Sequence, residues 1–349
     1  MGRHILSPRA WCAAMAAGAG GSFLLLWAWI ACAPLAYLDP EYPFWLVKQR
    51  MLLRCDLGQV AILGDSRAAV GILPTLLPVT ATNLAVGGGK PVEALAAARA
   101  MLACPHPPAH VVISIDPGHF MKPDLFWERS VRFGLMGRSD LAELAALSAA
   151  TGDWSVHEAR RTDPFPPGLR ATLYAIRFPP YYFNSVVKAG GFLRWWSNQA
   201  ALEQGLASRG QYYFGTDPGS SGIALDATLE TFAPAPVLGA AFDRLLVLLA
   251  DRGITAWFVP MPVNEATWRA TNPAVAAGFA AWLDARAGAH PNLRVMAPAA
   301  PYWPDSWFGD GFAHLNPAGA ERFSRTLAAE LPRWIVPLSA ARGPAQDAE

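Results

Sequence analysis

The sequence predicts an α/β fold in which a parallel sheet lies between helices and one apolar helix precedes it. Short apolar runs rich in β-branched residues alternate with longer segments of helical periodicity. Such alternation is typical of a parallel sheet covered by helices on both faces. A long uncharged stretch near the N-terminus supplies the apolar helix. At 349 residues, the chain fits one α/β domain with an insertion as well as two average domains.

The composition limits the classes of function. Hydrophobic residues make up 53% of the chain and charged residues only 16%, which is a low charged share for a freely soluble protein. The net charge of +1 gives no basic footprint, so no nucleic-acid partner is predicted. The sequence contains no P-loop, CxxC pair or HExxH helix, and we therefore predict neither a cofactor nor a metal.

The N-terminal stretch predicts a membrane anchor. Residues 11–38 carry no charge, and residues 23–30 read FLLLWAWI, so the run is long enough to cross a bilayer core. Arg3 and Arg9 precede it, and the positive-inside rule places the N-terminus in the cytoplasm. We therefore predict a cytoplasmic stub and transmembrane anchor over residues 1–38. The chain would be a single-pass inner-membrane protein whose main domain lies in the periplasm or extracytoplasmic space.

A cleaved signal peptide is the alternative to a retained anchor. Its apolar region would be unusually long, and the sequence Ala31-Cys32-Ala33 is followed by Pro34, which makes a poor cleavage site. Lipidation of Cys32 fits less well, because Trp29 stands where an aliphatic residue is expected.

Two of the four cysteines belong to the exported part. Cys12 and Cys32 lie in the apolar run, which leaves Cys55 and Cys104. Each of the latter precedes a predicted strand, and in a sheet of order 2-1-3 those strands are neighbours. A disulfide is therefore expected in an oxidising compartment, with two buried thiols as the alternative.

The predicted elements follow a short tether over residues 39–58, which begins with the Pro- and aromatic-rich DPEYPFW. A catalytic domain is predicted over residues 59–335, and a flexible tail over 336–349. Within the domain, strands are predicted at residues 59–63, 82–86, 111–115, 255–259 and 293–296, and helices at residues 91–102, 237–251, 274–287 and 317–331.

The alternation stops between residues 121 and 236, which are predicted to form a helical insertion. Helical segments are expected at residues 140–150 and 184–205, with a loop over 216–235. Its aromatic rings would stack on sugars, lie against a bilayer or partner, or form the core of a helical cap, as burial preferences favour. Cations accompany these rings at Arg160, Arg161, Arg170, Arg177, Lys188, Arg194 and Arg209.

Loops at the carboxyl ends of parallel strands are where ligands bind, and two of these loops stand out. The first is Gly64-Asp65-Ser66-Arg67, in which a serine at a strand-to-helix turn has an exposed hydroxyl and a backbone N–H at a helix start. Ser66 could equally be an N-cap. The second is the glycine-rich loop after the next strand, residues 83–90, whose backbone can approach a ligand closely or simply turn.

Two later loops carry titratable side chains. Asp116 and His119 follow the third strand, where they would serve a site or shape the turn. Asp310 and His314 stand just before the last helix, and a carboxylate and an imidazole so close together can form a base and its orienting partner. A capped, solvent-touched loop is the plainer interpretation of that pair alone.

The order of these four loops resembles that of the SGNH hydrolases, over about residues 59–120 and 239–331. The resemblance implies a flavodoxin-like SGNH fold, with Ser66 as nucleophile and His314 as base. Asp310 would orient His314. The N–H groups of Ser66 and Gly88 would form an oxyanion hole, since Gly88 lies five residues after Asn83, where the family's glycine falls.

The sequence departs from the family pattern in two places. The family spacing is Asp-x-x-His, whereas three residues separate Asp310 from His314, and Gly311 stands at the family's position. Either the loop holds one extra residue or Asp305 substitutes. The third-block Asn, an oxyanion donor in the family, is also missing, with Gly118 or His119 near its place. Loss of one donor costs roughly 3 kcal/mol.

Within the family, the chain is most similar to anchored, exported proteins of polysaccharide O-acetylation and teichoic-acid D-alanyl transfer. The shared features are one N-terminal membrane helix, the FVPMPVN segment at residues 258–264 and the ending HLNPAGAERF at residues 314–323. The resemblance implies acyl transfer, with acetyl as the expected group, to a polysaccharide or glycan beside a membrane-bound O-acyltransferase. An esterase or deacetylase, or a degenerate scaffold, are the alternatives. Further substrate contacts are expected from Arg67, Asn83, His119, Asn264 and Asn316.

Overall fold

A parallel sheet organises the larger part of the chain in a computed structural model, which describes residues 7–158, 165–191, 193–296 and 302–334. The described strands are β1 (Val60–Gly64), β2 (Ala81–Asn83), β3 (His110–Ser114), β4 (Thr255–Phe258), β5 (Val263–Asn264), β6 (Leu293–Val295) and β7 (Tyr302–Trp303). Five of them pair in the order β2-β1-β3-β4-β6, every pair parallel, while β5 and β7 form a separate parallel pair.

The described helices often begin with a proline, whose missing N–H costs nothing in the first turn. They are α1 (Pro8–Cys32), α2 (Pro34–Tyr37), α3 (Tyr42–Arg54), α4 (Ser66–Gly71), α5 (Pro91–Leu102), α6 (Pro117–Met121), α7 (Arg138–Thr151), α8 (Pro167–Ala175), α9 (Pro179–Lys188), α10 (Trp195–Ala207), α11 (Pro236–Ala250), α12 (Glu265–Ala270), α13 (Pro273–Ala289) and α14 (Pro317–Trp334). A π-helical turn spans Phe126–Val131. The predicted tail over residues 336–349 lies outside the described residues.

The chain divides into two compact units. The first comprises Met1–Pro43 and Ala159–Ala200, and the second comprises Phe44–Glu158 and Ala201–Glu349. The division therefore falls inside the predicted insertion over residues 121–236, whose middle groups with the N-terminal segment.

The second unit has a mixed α/β architecture with the sheet at its centre. All five residues of β1 are buried, which matches the continuous apolar run of a strand covered on both faces. Helix α11 packs against α5 and α7, and α14 packs against α4. The register pairs Gly64 with Ser114, so the turns that follow β1 and β3 lie at the same edge of the sheet.

The predicted tether contains a helix. Residues 42–54 form α3, because apolar side chains at helical spacing, among them Trp45 and Met51, are buried. Lys48 on the same helix is also buried, and its Nζ donates to the carbonyls of Asn83, at 2.7 Å, and Gly210. Burial lowers the pKa of Lys48 well below its ordinary value.

Two further elements differ from expectation. The helical stretch predicted at residues 184–205 is interrupted between α9 and α10, where Gly190 and Gly191 adopt positive φ angles of 57° and 84°. Strand β2 ends at Asn83 rather than at residue 86, because the Asn83 side chain accepts a hydrogen bond from the N–H of Ala85 and turns the chain out of the sheet.

The expected disulfide between Cys55 and Cys104 is present. Cys55 follows α3 and Cys104 follows α5, and the two Cα atoms are 5.5 Å apart. The pairing follows from topology, since β1 and β3 are neighbours and both cysteines lie near the amino ends of these strands.

The first unit contains the apolar helix α1. It is the one described helix that is long and apolar enough to cross a membrane. Its 25 residues correspond to about 37 Å at 1.5 Å per residue, which exceeds a hydrocarbon core of about 30 Å. Most of its side chains are exposed in the protein alone.

Candidate functional site

Ser66 lies at the turn between β1 and α4. The turn requires glycine at position 64, since a Cβ there would stand 1.9 Å from the carbonyl oxygen of Ser114. Asp65 caps the helix by accepting a hydrogen bond from the N–H of Arg67 at 2.9 Å. The predicted alternative, in which Ser66 is the cap, therefore does not hold. The Ser66 side chain is left half-buried at the helix start.

A hydrogen-bonded row joins Ser66 to an imidazole and a carboxylate. The Nε2 atom of His314 lies 2.8 Å from the Oγ of Ser66, and its Nδ1 lies 2.6 Å from Oδ2 of Asp310. The geometric expectation for this pair is thus met: one ring nitrogen faces the carboxylate and the other faces the serine. His314 is almost fully buried, which holds the ring in this orientation.

The loop that carries Asp310 and His314 absorbs the extra residue at Ala313. The positive φ in this loop falls on Ala313, at 61°, rather than on Gly309 or Gly311. Gly309 has a different role, because a Cβ there would lie 2.3 Å from the carbonyl oxygen of Gly215. The N–H of Gly309 donates to the carbonyl of His314 at 2.9 Å and closes the loop.

Asp310 is held as an anion. Burial raises its pKa, but the hydrogen bond and charge of His314 and the N–H groups of Phe312 and His314 outweigh burial, so the pKa lies below its ordinary value. Asp310 therefore accepts from the Nδ1–H of His314 near neutral pH, which leaves Nε2 to accept the proton of Ser66.

Asp305 occupies a different environment. Its Oδ1 accepts a long hydrogen bond, 3.4 Å, from the N–H of Ala266 in the first turn of α12. Among the described residues it makes no hydrogen bond to His314, so Asp310 is the carboxylate that contacts the imidazole.

The glycine-rich loop packs against the nucleophile turn. A Cβ on Gly89 would stand 2.3 Å from the carbonyl oxygen of Gly64, which itself accepts from the N–H of Val86 at 3.1 Å. Gly88, the predicted oxyanion donor, has a φ of 65°, and its carbonyl accepts from the Nζ of Lys90 at 2.8 Å. The Gly88 peptide is thus fixed beside the turn that carries Ser66.

Arg129 lies at the same loop, although no sequence motif pointed to it. A Cβ on Gly88 would be 3.1 Å from Nη1 of Arg129, so the guanidinium sits against this glycine. Arg129 belongs to the π-helical turn Phe126–Val131, a rare geometry that often marks functional sites. The turn begins at Leu125, whose φ is 59°.

The π-helical turn is tied to the glycine loop through Glu93. This buried carboxylate accepts from the hydroxyl of Ser130 and, at 2.8 Å, from the N–H of Lys90. The turn that carries Arg129 is therefore joined to the glycine-rich loop through Glu93. Arg129 lies in the stretch without strand–helix alternation, so no motif could have assigned it.

A polar cluster surrounds Asp65. Arg67 pairs with Asp116 at 2.6 Å, and the Nδ1 of His119 lies 3.0 Å from Oδ2 of Asp65. Burial raises the pKa of Asp65, but hydrogen bonding and charge from His119, together with Arg67 and the N–H of Asp116, bring it to about 2. Asp65, Asp116 and His119 are spaced so that they could hold a metal ion, but their oxygens already accept from Arg67, His119 and backbone N–H groups.

Three of the expected substrate contacts are structural residues instead. Asn83 is fully buried and donates to the carbonyls of Ala68 and Ile72, each at 2.9 Å. Asn264 caps α12, and Asn316 accepts from the N–H of Gly319 in the first turn of α14. All three are buried, so their amides bind backbone rather than ligand. Arg67 and His119 belong to the polar cluster described above.

A largely apolar cavity of about 490 Å³ opens at the carboxyl ends of β3, β4 and β6. Arg67 and Asp116 line its polar end, and side chains such as Trp268 and Phe279 line the remainder. Neither Ser66 nor His314 is among the described residues that line it, so the cavity neighbours the row without containing it.

The chain matches no protein-family model and no curated protein. Its function is therefore inferred from the side chains at the site. A serine hydroxyl, an imidazole and a carboxylate in one hydrogen-bonded row can carry out nucleophilic acyl chemistry.

Proposed function

We propose that this protein is an SGNH-type serine acyltransferase, with a flavodoxin-like fold, that transfers an acyl group, acetyl being the expected one, to an extracytoplasmic polysaccharide or glycan. The observation that carries the proposal is the row of Ser66, His314 and Asp310, with distances of 2.8 and 2.6 Å. The row agrees with the roles that the resemblance to SGNH hydrolases implies for these three residues.

The first half of the reaction forms an acyl-serine. The Oγ of Ser66 attacks the carbonyl carbon of the acyl donor while Nε2 of His314 takes the hydroxyl proton. Collapse of the tetrahedral intermediate breaks the bond to the donor's leaving oxygen, which receives that proton from His314. Asp310 holds Nδ1 protonated and stabilises the imidazolium that forms between the two transfers.

The second half returns the enzyme to its resting state. His314 takes a proton from a hydroxyl of the glycan acceptor, whose oxygen attacks the acyl-serine carbonyl. The ester to Ser66 breaks, and Ser66 regains its proton from His314. Water in place of the glycan gives an esterase or deacetylase, which would use the same residues.

An oxyanion hole would stabilise the negative charge that develops on the carbonyl oxygen in both halves. We assign the N–H groups of Ser66 and Gly88 to it, following the family pattern. Arg129 takes the place of the missing third-block Asn, because its guanidinium lies against Gly88. A cation at this point is a strong donor to an oxyanion in a half-buried site.

The location and partner complete the proposal. Helix α1 would anchor the chain in the inner membrane, with the second unit in the extracytoplasmic space. There it would act beside a membrane-bound O-acyltransferase that brings acyl groups across the membrane. A scaffold without activity is less well supported, since Ser66, His314 and Asp310 keep a complete hydrogen-bonded row.

Labelling by a fluorophosphonate probe tests the nucleophile. The purified full-length protein should be labelled, and Ser66→Ala or His314→Ala should abolish labelling, whereas Ser139→Ala, at an exposed serine, should leave it intact. Undiminished labelling of the Ser66→Ala variant would overturn the assignment. Incubating acetylated enzyme with glycan or with water alone then separates transfer from hydrolysis.

A further inference from the structure

The middle of the first unit exposes an unusual number of large apolar side chains. We call residues 165–191 and 193–196 the collar. Phe183, Val187 and Trp196 are 58%, 60% and 79% exposed. Five further large apolar side chains of the collar are exposed: Phe165, Leu169, Ile176, Leu193 and Trp195. An apolar surface this rich marks an interaction site rather than an ordinary protein surface.

The collar is fixed to the carboxyl-terminal end of α1. The indole N–H of Trp27 donates to the carbonyl of Ile176 at 2.8 Å, and Arg177 donates to the carbonyl of Ala31 at 2.7 Å. The ring of Phe178 packs edge-on against the rings of Trp27 and Phe23, with centroids 5.5 and 6.3 Å apart. The collar therefore shares the depth of the last turns of α1.

That depth can be placed relative to a bilayer. Trp27 precedes the end of α1 at Cys32 by five residues, or about 8 Å along the axis. If α1 crosses the membrane, its last turns lie at the boundary between hydrocarbon and headgroups, since the helix is about 7 Å longer than the core. Interfacial depth is where Trp, Tyr and cationic side chains are enriched in membrane proteins.

Helix α9 has two apolar faces, of which the protein covers one. Tyr182 is fully buried and its ring contacts those of Tyr37 and Tyr174. Phe183 and Val187, four residues apart, share an exposed face. A second apolar face at interfacial depth is what a helix lying in the plane of a bilayer presents.

The charges of the collar also suit a lipid surface. The sequence contains no acidic residue between Asp163 and Glu203, but it contains the cations Arg170, Arg177, Lys188 and Arg194. Lys188 follows the exposed apolar face of α9 and is itself exposed, as a cation that reaches phosphate headgroups would be.

We propose that the collar is a second membrane-binding element, whose exposed apolar side chains lie among the phospholipids of the leaflet in which α1 ends. The proposal goes beyond acyl transfer and rests only on the proposed placement of α1 across a membrane. One apolar helix would fix the protein to the bilayer but leave it free to rotate and tilt. A helix in the plane of the interface would remove that freedom.

Fluorescence depth measurements on the full chain test the proposal. With Cys12 and Cys32 changed to Ser, single variants Phe183→Cys and Val187→Cys carry an environment-sensitive NBD label in nanodiscs of phosphatidylcholine with or without dibrominated phosphatidylcholine. We expect blue-shifted emission and quenching by the brominated lipid at both positions. A label at Ile223→Cys, which is 59% exposed in the other unit, serves as the matched control and should show neither effect.

The outcomes separate the proposal from its premise. A label at Leu24→Cys on α1 reports whether the anchor is embedded, so absence of quenching there would remove the premise itself. Quenching at position 24 without quenching at 183 and 187 would overturn the collar assignment. Blue-shifted emission at 183 and 187 that brominated lipid leaves unquenched would also overturn it, because a second copy of the chain would then cover the surface.

Discussion

Asp310 and Asp305 lie near each other in sequence, yet they serve different groups. Asp310 contacts both Nδ1 and the backbone N–H of His314, while Asp305 meets the backbone N–H of Ala266. Between Asp310 and His314, Ala313 lies in the left-handed region. The two side chains thus make contact with three residues between them.

Exchanging each carboxylate for an amide distinguishes these roles. We expect Asp310→Asn to lower kcat by about 10⁴-fold, because His314 loses the partner that fixes its tautomer. Asp305→Asn should retain most activity. Turnover of a p-nitrophenyl ester, with circular dichroism to verify folding, provides the measurement. If the effects were reversed, the orienting role would belong to Asp305.

Arg129 is the one side chain that we assign to the proposed oxyanion hole. We expect Arg129→Ala to lower kcat by about 10²–10³-fold with little change in KM, since an oxyanion donor acts mainly in the transition state. Added guanidinium ion should restore part of the rate. The exposed Arg138 provides a matched control, because Arg138→Ala removes a guanidinium from the following helix.

The same kinetics can contradict this role. A rise in KM at unchanged kcat would show that Arg129 binds the substrate equally in its ground and transition states. In that case the hole consists of two donors only, and Ser66 labelling by the fluorophosphonate probe would be unaffected.

At the scale of elements, the sequence was most informative where one periodicity ran uninterrupted. The helix over residues 91–102 was predicted to its ends, and the parallel order of the first three strands was correct, which also paired Cys55 with Cys104. The burial of a strand or of an amphipathic helix can be read from the local pattern of apolar residues. Contacts between residues distant in sequence leave no such pattern, and the buried Lys48 on α3, which donates to Asn83, is one example.

The candidate site shows the same limit. The order of the motifs predicted that Ser66 and His314 act together, and their contact spans 248 positions of sequence. The three asparagines predicted as substrate contacts donate to backbone carbonyls, and sequence cannot tell an amide that faces backbone from one that faces solvent. Arg129 was missed since only the folded π-helical turn carries it to Gly88.

The turn that carries Ser66 should also set the acid stability of the second unit. The folded-state pKa of Asp65, about 2, lies below the ordinary value of about 3.9. A depressed pKa stabilises the fold above the unfolded value, so this contribution is present above about pH 4 and is lost as the pH falls towards about 2. It amounts to about 2–3 kcal/mol.

Urea unfolding across that pH range checks the contribution. The wild type should lose stability as Asp65 becomes protonated, and Asp65→Asn should be less stable at neutral pH and show a flatter dependence. Identical slopes for the two proteins would assign the acid sensitivity to other carboxylates.

At the scale of the whole molecule, the two units contain different kinds of feature. The first unit holds the apolar helix and the collar, and the second holds the sheet, the disulfide and the hydrogen-bonded row. The proposed acyl transfer to a surface glycan would need an anchor in the membrane and a catalytic row outside the cytoplasm. The first unit carries the features for the anchor and the second unit carries the row.

The orientation of the chain is the prediction that joins the two units. Arg3 and Arg9 precede the apolar helix, which places residues after about Asp39 outside by the positive-inside rule. The disulfide of Cys55 and Cys104 points the same way, since such bonds persist in oxidising compartments. An alkaline phosphatase fused after Glu349 should therefore be active, and a green fluorescent protein at the same point should stay dark.

Cells that express the chain also show whether its N-terminus is cleaved. We expect the full-length chain in the membrane fraction, resistant to extraction by high salt, with Cys55 and Cys104 protected from alkylation until a reductant is added. A soluble product that begins near Pro34 or Tyr37 would show that residues 1–38 are a cleaved signal instead. An inactive phosphatase fusion together with freely alkylated cysteines would place the second unit in the cytoplasm, where a polysaccharide acceptor outside the cell could not reach Ser66.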